Sequence, residues 1–226
     1  MEKIDIIKSI SERTGGDIYL GVVGAVRTGK STFIKKFIEN LVVPNIEDEY
    51  ERKRCLDEIP QTAQGKTIMT IEPKFVPSTA AKIKVEEFET NIKLVDCVGY
   101  VIPAAKGYED EMGEPRMVKT PWYDEDIPFV EAAEIGTEKV IRDHSTIGIV
   151  VTTDGSIGDI TRNNYIEAEN EVISELKEIG KPFIVLLNSA HPTLPETERL
   201  AEKLKEEHNV PVIPISAETM NEKDVY

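Results

Sequence analysis

What this 226-residue chain has little of already excludes several chemistries. It holds two cysteines, Cys55 and Cys97, without the spacing of a metal knuckle or a redox C-x-x-C pair, which fits a reducing compartment. Its three histidines, His144, His191 and His208, are scattered and outline no base or metal constellation. No apolar run approaches the ~20 residues that cross a bilayer. Met1 is followed by Glu2, Lys3 and Asp5 rather than by an apolar leader, so a cytoplasmic chain with no secretory signal and no transmembrane segment is expected. Positive charge is in deficit, with 27 Lys and Arg against 42 Asp and Glu and a net charge of −15. No basic stripe interrupts that acidity, so nucleic acid is not an expected partner and direct adhesion to anionic lipid is disfavoured. No internal repeat is present.

What is there begins at Gly24-Ala25-Val26-Arg27-Thr28-Gly29-Lys30-Ser31, a match to G-x-x-x-x-G-K-[ST]. It lies between a strand-like segment, Asp17 to Val23, and a helix-like one, Ser31 to Asn40, as a phosphate-binding loop must. The glycines let successive backbone amides face a polyanion, and the helix N-terminus adds partial positive charge. Gly24 through Ser31, with Thr32 in the first turn, are the expected nucleotide-binding residues. Lys30 is expected on the β- and γ-phosphates and Ser31 on Mg²⁺.

Around the loop, Met1 to Glu12 reads as a short amphipathic helix closed by Gly15-Gly16. Pro44 and the charged tract Asn45 to Glu58 read as a surface excursion. Strands are predicted over Ala81 to Phe88 and Asn91 to Asp96, a hairpin with Glu89-Thr90 between them. Gly99 to Phe129, with the only tryptophan, Trp122, and an acidic patch from Glu109 to Glu114, is too long and irregular for a simple connection and reads as an insertion. Beyond it, helices over Phe129 to Asp143, Asn164 to Ile179 and Glu196 to His208 alternate with strands over Thr146 to Thr153, Pro182 to Asn188 and Val210 to Ser216. That alternation predicts a mainly parallel sheet with right-handed crossovers.

Further stations narrow the class. Asp96-Cys97-Val98-Gly99 has the D-x-x-G form that meets Mg²⁺ and the γ-phosphate, through Asp96 and the Gly99 amide respectively. In Lys66-Thr67-Ile68-Met69-Thr70 a threonine is placed to complete metal coordination, Thr70 before Thr67. The base-reading station N-K-x-D is replaced by Asn188-Ser189-Ala190-His191. Asn188 and Ser189 remain candidate nucleotide contacts, but the carboxylate that would select guanine is gone. Ser216-Ala217-Glu218 stands where such proteins carry S-A-K. Tyr100 follows D-x-x-G where many GTPases place a water-orienting glutamine. Arg27 is either a built-in arginine finger or the partner of a surface carboxylate; Asp154, at the carboxyl edge of a buried strand, is either ligand-facing or a turn cap. The expected fold is α/β, a P-loop NTPase of the GTPase-like type: a mainly parallel sheet with one antiparallel edge hairpin and helices on both faces.

With Gly24 to Phe37, Lys66 to Thr70, Leu94 to Tyr100, Glu131 to Thr137 and Thr152 to Gly155 assembled, the chain resembles the nucleotide-binding domain of the stage IV sporulation protein A family over its whole length. The resemblance implies an N-terminal helix (1–16), a GTPase-like domain (17–226) with an insertion at about 99–129, and further C-terminal domains outside this chain. It implies ATP hydrolysis; joined to the motif reading above, this makes Lys30, Thr70, Asp96 and Arg27 the expected catalytic residues and Ser31, Thr70 and Asp96 the expected Mg²⁺ ligands. It implies assembly with copies of itself into a spore-coat platform at the outer forespore membrane, inside the mother cell, with a small amphipathic membrane-anchoring peptide and coat proteins as partners. A GTP-dependent switch and a nucleotide-binding scaffold with little turnover are the competing readings.

Overall fold

The run Asp17–Val23 forms β1, the strand around which the rest is arranged. The structure, a computed structural model, describes residues 17–59, 72–85, 88–109 and 112–225; the expected helix at residues 1–12 and the segment with Thr67 and Thr70 lie outside them. Strands β2 (Lys74–Val85), β3 (Phe88–Asp96), β6 (Ile147–Thr153), β7 (Phe183–Asn188) and β8 (Val212–Ile215) join β1 in one sheet of order β2-β3-β1-β6-β7-β8. All neighbours are parallel except β2, which runs antiparallel to β3 at one rim. A separate two-stranded sheet, β4 (Met117–Thr120) with β5 (Tyr123–Pro128), occupies part of the stretch read as an insertion.

Because the parallel strands are covered on both faces, their apolar residues run continuously rather than alternating with polar ones. Val22, Leu94, Val151 and Leu186 turn to one face, where they meet α1 (Lys30–Phe37), a π-helical turn Ile38–Val42 and α2 (Glu49–Asp57). Val23, Val95, Val150 and Val185 turn to the other, against α3 (Phe129–Arg142) and α4 (Ile166–Glu178). Helix α5 (Pro195–His208) packs on Leu187, and a last short helix, α6, covers Glu222–Val225. At the far rim, Pro211 and Ile215 carbonyls accept from Val185 and Ser189 amides. Alternate residues of β8 therefore face β7, and Pro214 presents its nitrogen to the free border.

Three expectations are corrected. The helix after the loop does not end at Asn40; it slackens into the π turn and then a 3₁₀ turn, Val43–Asn45, which takes in Pro44. The tract 45–58, read as a surface excursion, holds a helix: α2 is capped by Asp48, whose carboxylate accepts from the Glu51 amide at 2.7 Å. That cap, with acidic residues in the first turn, holds a helix whose only buried side chain is Cys55. The hairpin turn is not Glu89-Thr90. Val85 pairs with Phe88, so the chain reverses between them, Thr90 is buried inside β3, and Glu89 pairs with Lys82 across the strands at 2.8 Å.

Candidate functional site

The carboxyl ends of β1 and β3 lie side by side, and the loops leaving them make the site. Gly29 caps α1 with φ at 92°, and a Cβ there would sit 2.3 Å from the Asn188 amide nitrogen. No other residue fits that turn. Thr28 is buried, and its hydroxyl donates to the Ala25 carbonyl at 3.0 Å, closing the loop on itself.

Lys30 follows, 5% exposed, with its ammonium donating to the Ala25 carbonyl at 2.6 Å and more weakly to that of Gly24 at 3.4 Å. Burial lowers its pKa from the ordinary lysine value, and the neighbouring Asp96 opposes that shift. Ser31 donates its hydroxyl to Asp96 Oδ2 at 2.8 Å. The other oxygen, Oδ1, is buried with no hydrogen-bond partner among the described residues. Burial pushes this carboxyl up, while the Ser31 bond and the Lys30 charge pull it down.

That orphaned oxygen beside a hydroxyl is a fitting pair for Mg²⁺, which takes one or two protein oxygens and completes its shell with water and phosphate. Among the described residues no cluster of three or more His, Cys, Asp or Glu side chains could hold a metal by protein ligands alone.

Gly99, at φ 90°, closes the cradle from the other side: a Cβ would lie 2.0 Å from the Gly24 carbonyl oxygen and 2.6 Å from the Lys30 ammonium. The backbone of Tyr100 is stitched to the loop, its amide donating to Gly24 at 3.2 Å and its carbonyl accepting from the Val26 amide at 2.8 Å. The structure thus brings Gly24 to Ser31, Asp96 and Gly99 together; Thr32 is half-buried in the first turn of α1. Asn188 is adjacent, but its side chain is committed to the protein. Its Nδ2 donates to the Thr28 carbonyl and its Oδ1 accepts from the Ala217 amide, both at 2.9 Å. Ser189 is fully buried and accepts from the His191 amide at 2.9 Å. Both residues shape the station rather than open onto it.

Arg27 is exposed, at φ 63°, and borders a cavity of about 400 Å³ beside the loop. Lys106, Ile157, Asp159, Asn164 and Tyr165 line it as well. Asp154 accepts from the Ser156 amide at 2.9 Å and the Ser156 hydroxyl at 2.6 Å, so it caps a turn.

Two contacts were invisible in the sequence. Arg162 donates to both oxygens of buried Glu169, at 2.7 and 2.5 Å, and to Thr152, fastening the loop after β6. The Tyr100 hydroxyl donates to Glu175 on α4 at 2.7 Å. Glycine spacing marks a loop in sequence, but no local signal announces a bond between residues 75 positions apart.

A parallel sheet with an antiparallel edge strand, a Gly-Lys-Ser loop at the end of its inner strand and an Asp-x-x-Gly turn at the end of the next define a P-loop fold of the GTPase-like type. Comparison with known proteins narrows this. The sequence profile of stage IV sporulation protein A, ATPase domain, matches residues 1–226, and the chain belongs to that family. It is 65% identical over 227 residues to stage IV sporulation protein A of Bacillus anthracis, covering 100% of this chain and 46% of that one. The corresponding protein of Bacillus subtilis (strain 168) is 65% identical over 226 residues, covering 100% of this chain and 46% of that one. That of Clostridioides difficile (strain 630) is 54% identical over 222 residues, covering 98% and 45%. The chain therefore spans somewhat under half the length of these relatives. A solved SsGBP point variant overlaps with TM-score 0.48 and 20% identity, covering 95% of this chain and 54% of that one; so distant a likeness adds nothing to the fold seen directly. No helix among the described residues is long and apolar enough to cross a membrane.

Proposed function

We propose that this domain binds ATP with Mg²⁺ and hydrolyses it, and that in the whole protein hydrolysis drives self-assembly of a spore-coat basement layer on the outer forespore membrane, in the mother-cell cytoplasm. The observation that carries the catalytic part is the buried Asp96 Oδ1, unpartnered among the described residues, beside Ser31 and Lys30 at the mouth of a phosphate loop. The loop amides and Lys30 would grip the β- and γ-phosphates and Gly99 would donate its amide to the γ-phosphate. Ser31 and Asp96 would hold the magnesium ion, with Thr70 as a further ligand; bound there, the ion would neutralise charge developing between the β- and γ-phosphates. Copies of itself, a small amphipathic membrane-anchoring peptide and coat proteins are the proposed partners of the whole protein.

The base-reading loop argues for adenine. Asn188 braces the protein, and Ser189-Ala190-His191 offers no carboxylate for the guanine N–H groups, so nothing there rewards GTP. Phosphate release is expected to proceed from ATP with a kcat/KM about tenfold above that from GTP. Equal turnover of both would restore the GTP-switch reading. The scaffold reading draws on Tyr100, whose hydroxyl is engaged by Glu175 where a water-orienting group is usual; an ATP turnover that the phosphate-loop lysine does not influence would favour it.

Arg27 supplies a guanidinium beside the loop. Arg27→Ala is expected to lower kcat roughly 10²-fold while ATP affinity stays within a few-fold, since charge placed for the transition state is lost and ground-state contacts remain. Unchanged turnover in that variant assigns Arg27 to a surface ion pair instead.

A further inference from the structure

We infer that Tyr100 is a positioning residue for the γ-phosphate contact, holding the Gly99 amide at the phosphate loop through its own backbone stitches and through the hydroxyl bond to Glu175. The inference rests on the ATPase reading above.

Gly99 has a left-handed φ and no side chain, so by itself it is free to swing over a wide range. The residue after it removes that freedom. Tyr100 is tied to Gly24 and Val26 by two backbone hydrogen bonds, as a single rung of parallel ladder across the mouth of the site. The phenol then runs into the apolar cluster of the α3–α4 face with Val172 and Leu176, 5% exposed, and ends on Glu175 Oε2 at 2.7 Å. Burial pushes the hydroxyl's pKa up, so it acts there as a neutral donor and not as a base.

Glu175 in turn needs this donor. Its Oε1 is buried without a hydrogen bond among the described residues, with the Arg142 Nε 3.4 Å away at the end of α3, and a buried carboxylate stripped of a donor is costly. The bond therefore anchors Tyr100 from the side remote from the nucleotide. A side chain anchored there cannot orient water at the γ-phosphate; what it fixes is the amide one residue earlier.

The test compares four proteins: the unaltered domain, Tyr100→Phe, Glu175→Leu and Glu175→Gln. Magnesium-supported affinities for ATP and ADP come from fluorescent-nucleotide displacement, kcat and KM from phosphate release, and stability from melting. Tyr100→Phe is expected to reduce both the ATP-over-ADP preference and kcat about tenfold, with ADP affinity within twofold. Glu175→Leu, which offers no acceptor, should reproduce that loss, and Glu175→Gln, which keeps one, should recover most of it. Should Tyr100→Phe prove unstable because it strands the carboxylate, Tyr100→Phe with Glu175→Gln relieves the buried charge and is expected to show the same nucleotide defect. A lowered melting temperature with the ATP-over-ADP ratio and kcat intact overturns the inference, because packing alone would do that. An unaltered domain that prefers ATP over ADP yet releases no phosphate sinks the hydrolysis reading while the affinity ratios still decide Tyr100. If the unaltered domain does not distinguish ATP from ADP, the inference fails.

Discussion

Lys30→Met is expected to cut phosphate release from ATP by about 10³-fold, as removal of a preorganised charge from a transition-state cradle does, while leaving the nucleotide-free domain no less stable. The two halves have one cause. The ammonium is buried and its pKa is lowered, so the folded protein holds that proton less tightly than the unfolded chain. A charged Lys30 therefore works against folding at pH values below its folded pKa, and the penalty fades as pH climbs from there towards the ordinary lysine range. Methionine fills the stem's volume and removes the charge. Neither carbonyl it abandons is orphaned: Ala25 keeps the Thr28 hydroxyl and Gly24 keeps the Tyr100 amide. Melting curves should show the variant level with or above the unaltered domain at pH 7, with any advantage shrinking at alkaline pH. Surviving turnover, or a clear fall in melting temperature, contradicts this account of the lysine.

Asn188→Ala should do the opposite, damaging the fold first. The amide pins two buried backbone groups, the Thr28 carbonyl and the Ala217 amide, and alanine leaves both without that partner. At about 1–3 kcal/mol for each stranded group, the loss is about 2–6 kcal/mol, a drop of about 10 °C in melting temperature for a domain of this size. Nucleotide affinity falls with it, because Gly29 leans on the same amide. Asn188→Asp should be no remedy: it keeps an acceptor for Ala217 but turns a carboxylate oxygen towards the Thr28 carbonyl. Thermal melting with and without nucleotide checks both variants, and a melting temperature within 2 °C or so of the unaltered domain would refute the brace.

The loop and the parallel strands were legible because their physics is local. Gly24, Gly29 and Lys30 are spaced by the turn they make, and β6 and β7 announce themselves as short β-branched or aliphatic runs buried on both faces. Helix α2 was not legible, since six of its nine residues are charged and its one buried side chain, Cys55, leaves no periodic stripe. Its signal was the cap, Asp48 with Glu51 three positions on, which resembles a capping box. The hairpin turn slipped because β3 opens with the polar run Glu89-Thr90-Asn91, which reads as a turn although it is paired with β2. The β4–β5 pair hid in a sequence mostly exposed on both faces. Within the site, the sequence supplied Lys30, Ser31, Asp96 and Gly99 by motif, but only folding shows that Asn188 faces Thr28 and Ala217 or that Tyr100 reaches Glu175.

Pro214, with its nitrogen turned outward from β8, has a consequence for this border of the sheet. Cross-β stacking recruits new chains along a row of unbroken donors and acceptors, and a missing proton in a four-residue strand interrupts that row. This margin of the sheet is shut to templated addition. Strand addition to this sheet is therefore left to the opposite rim, where the longer β2 lies.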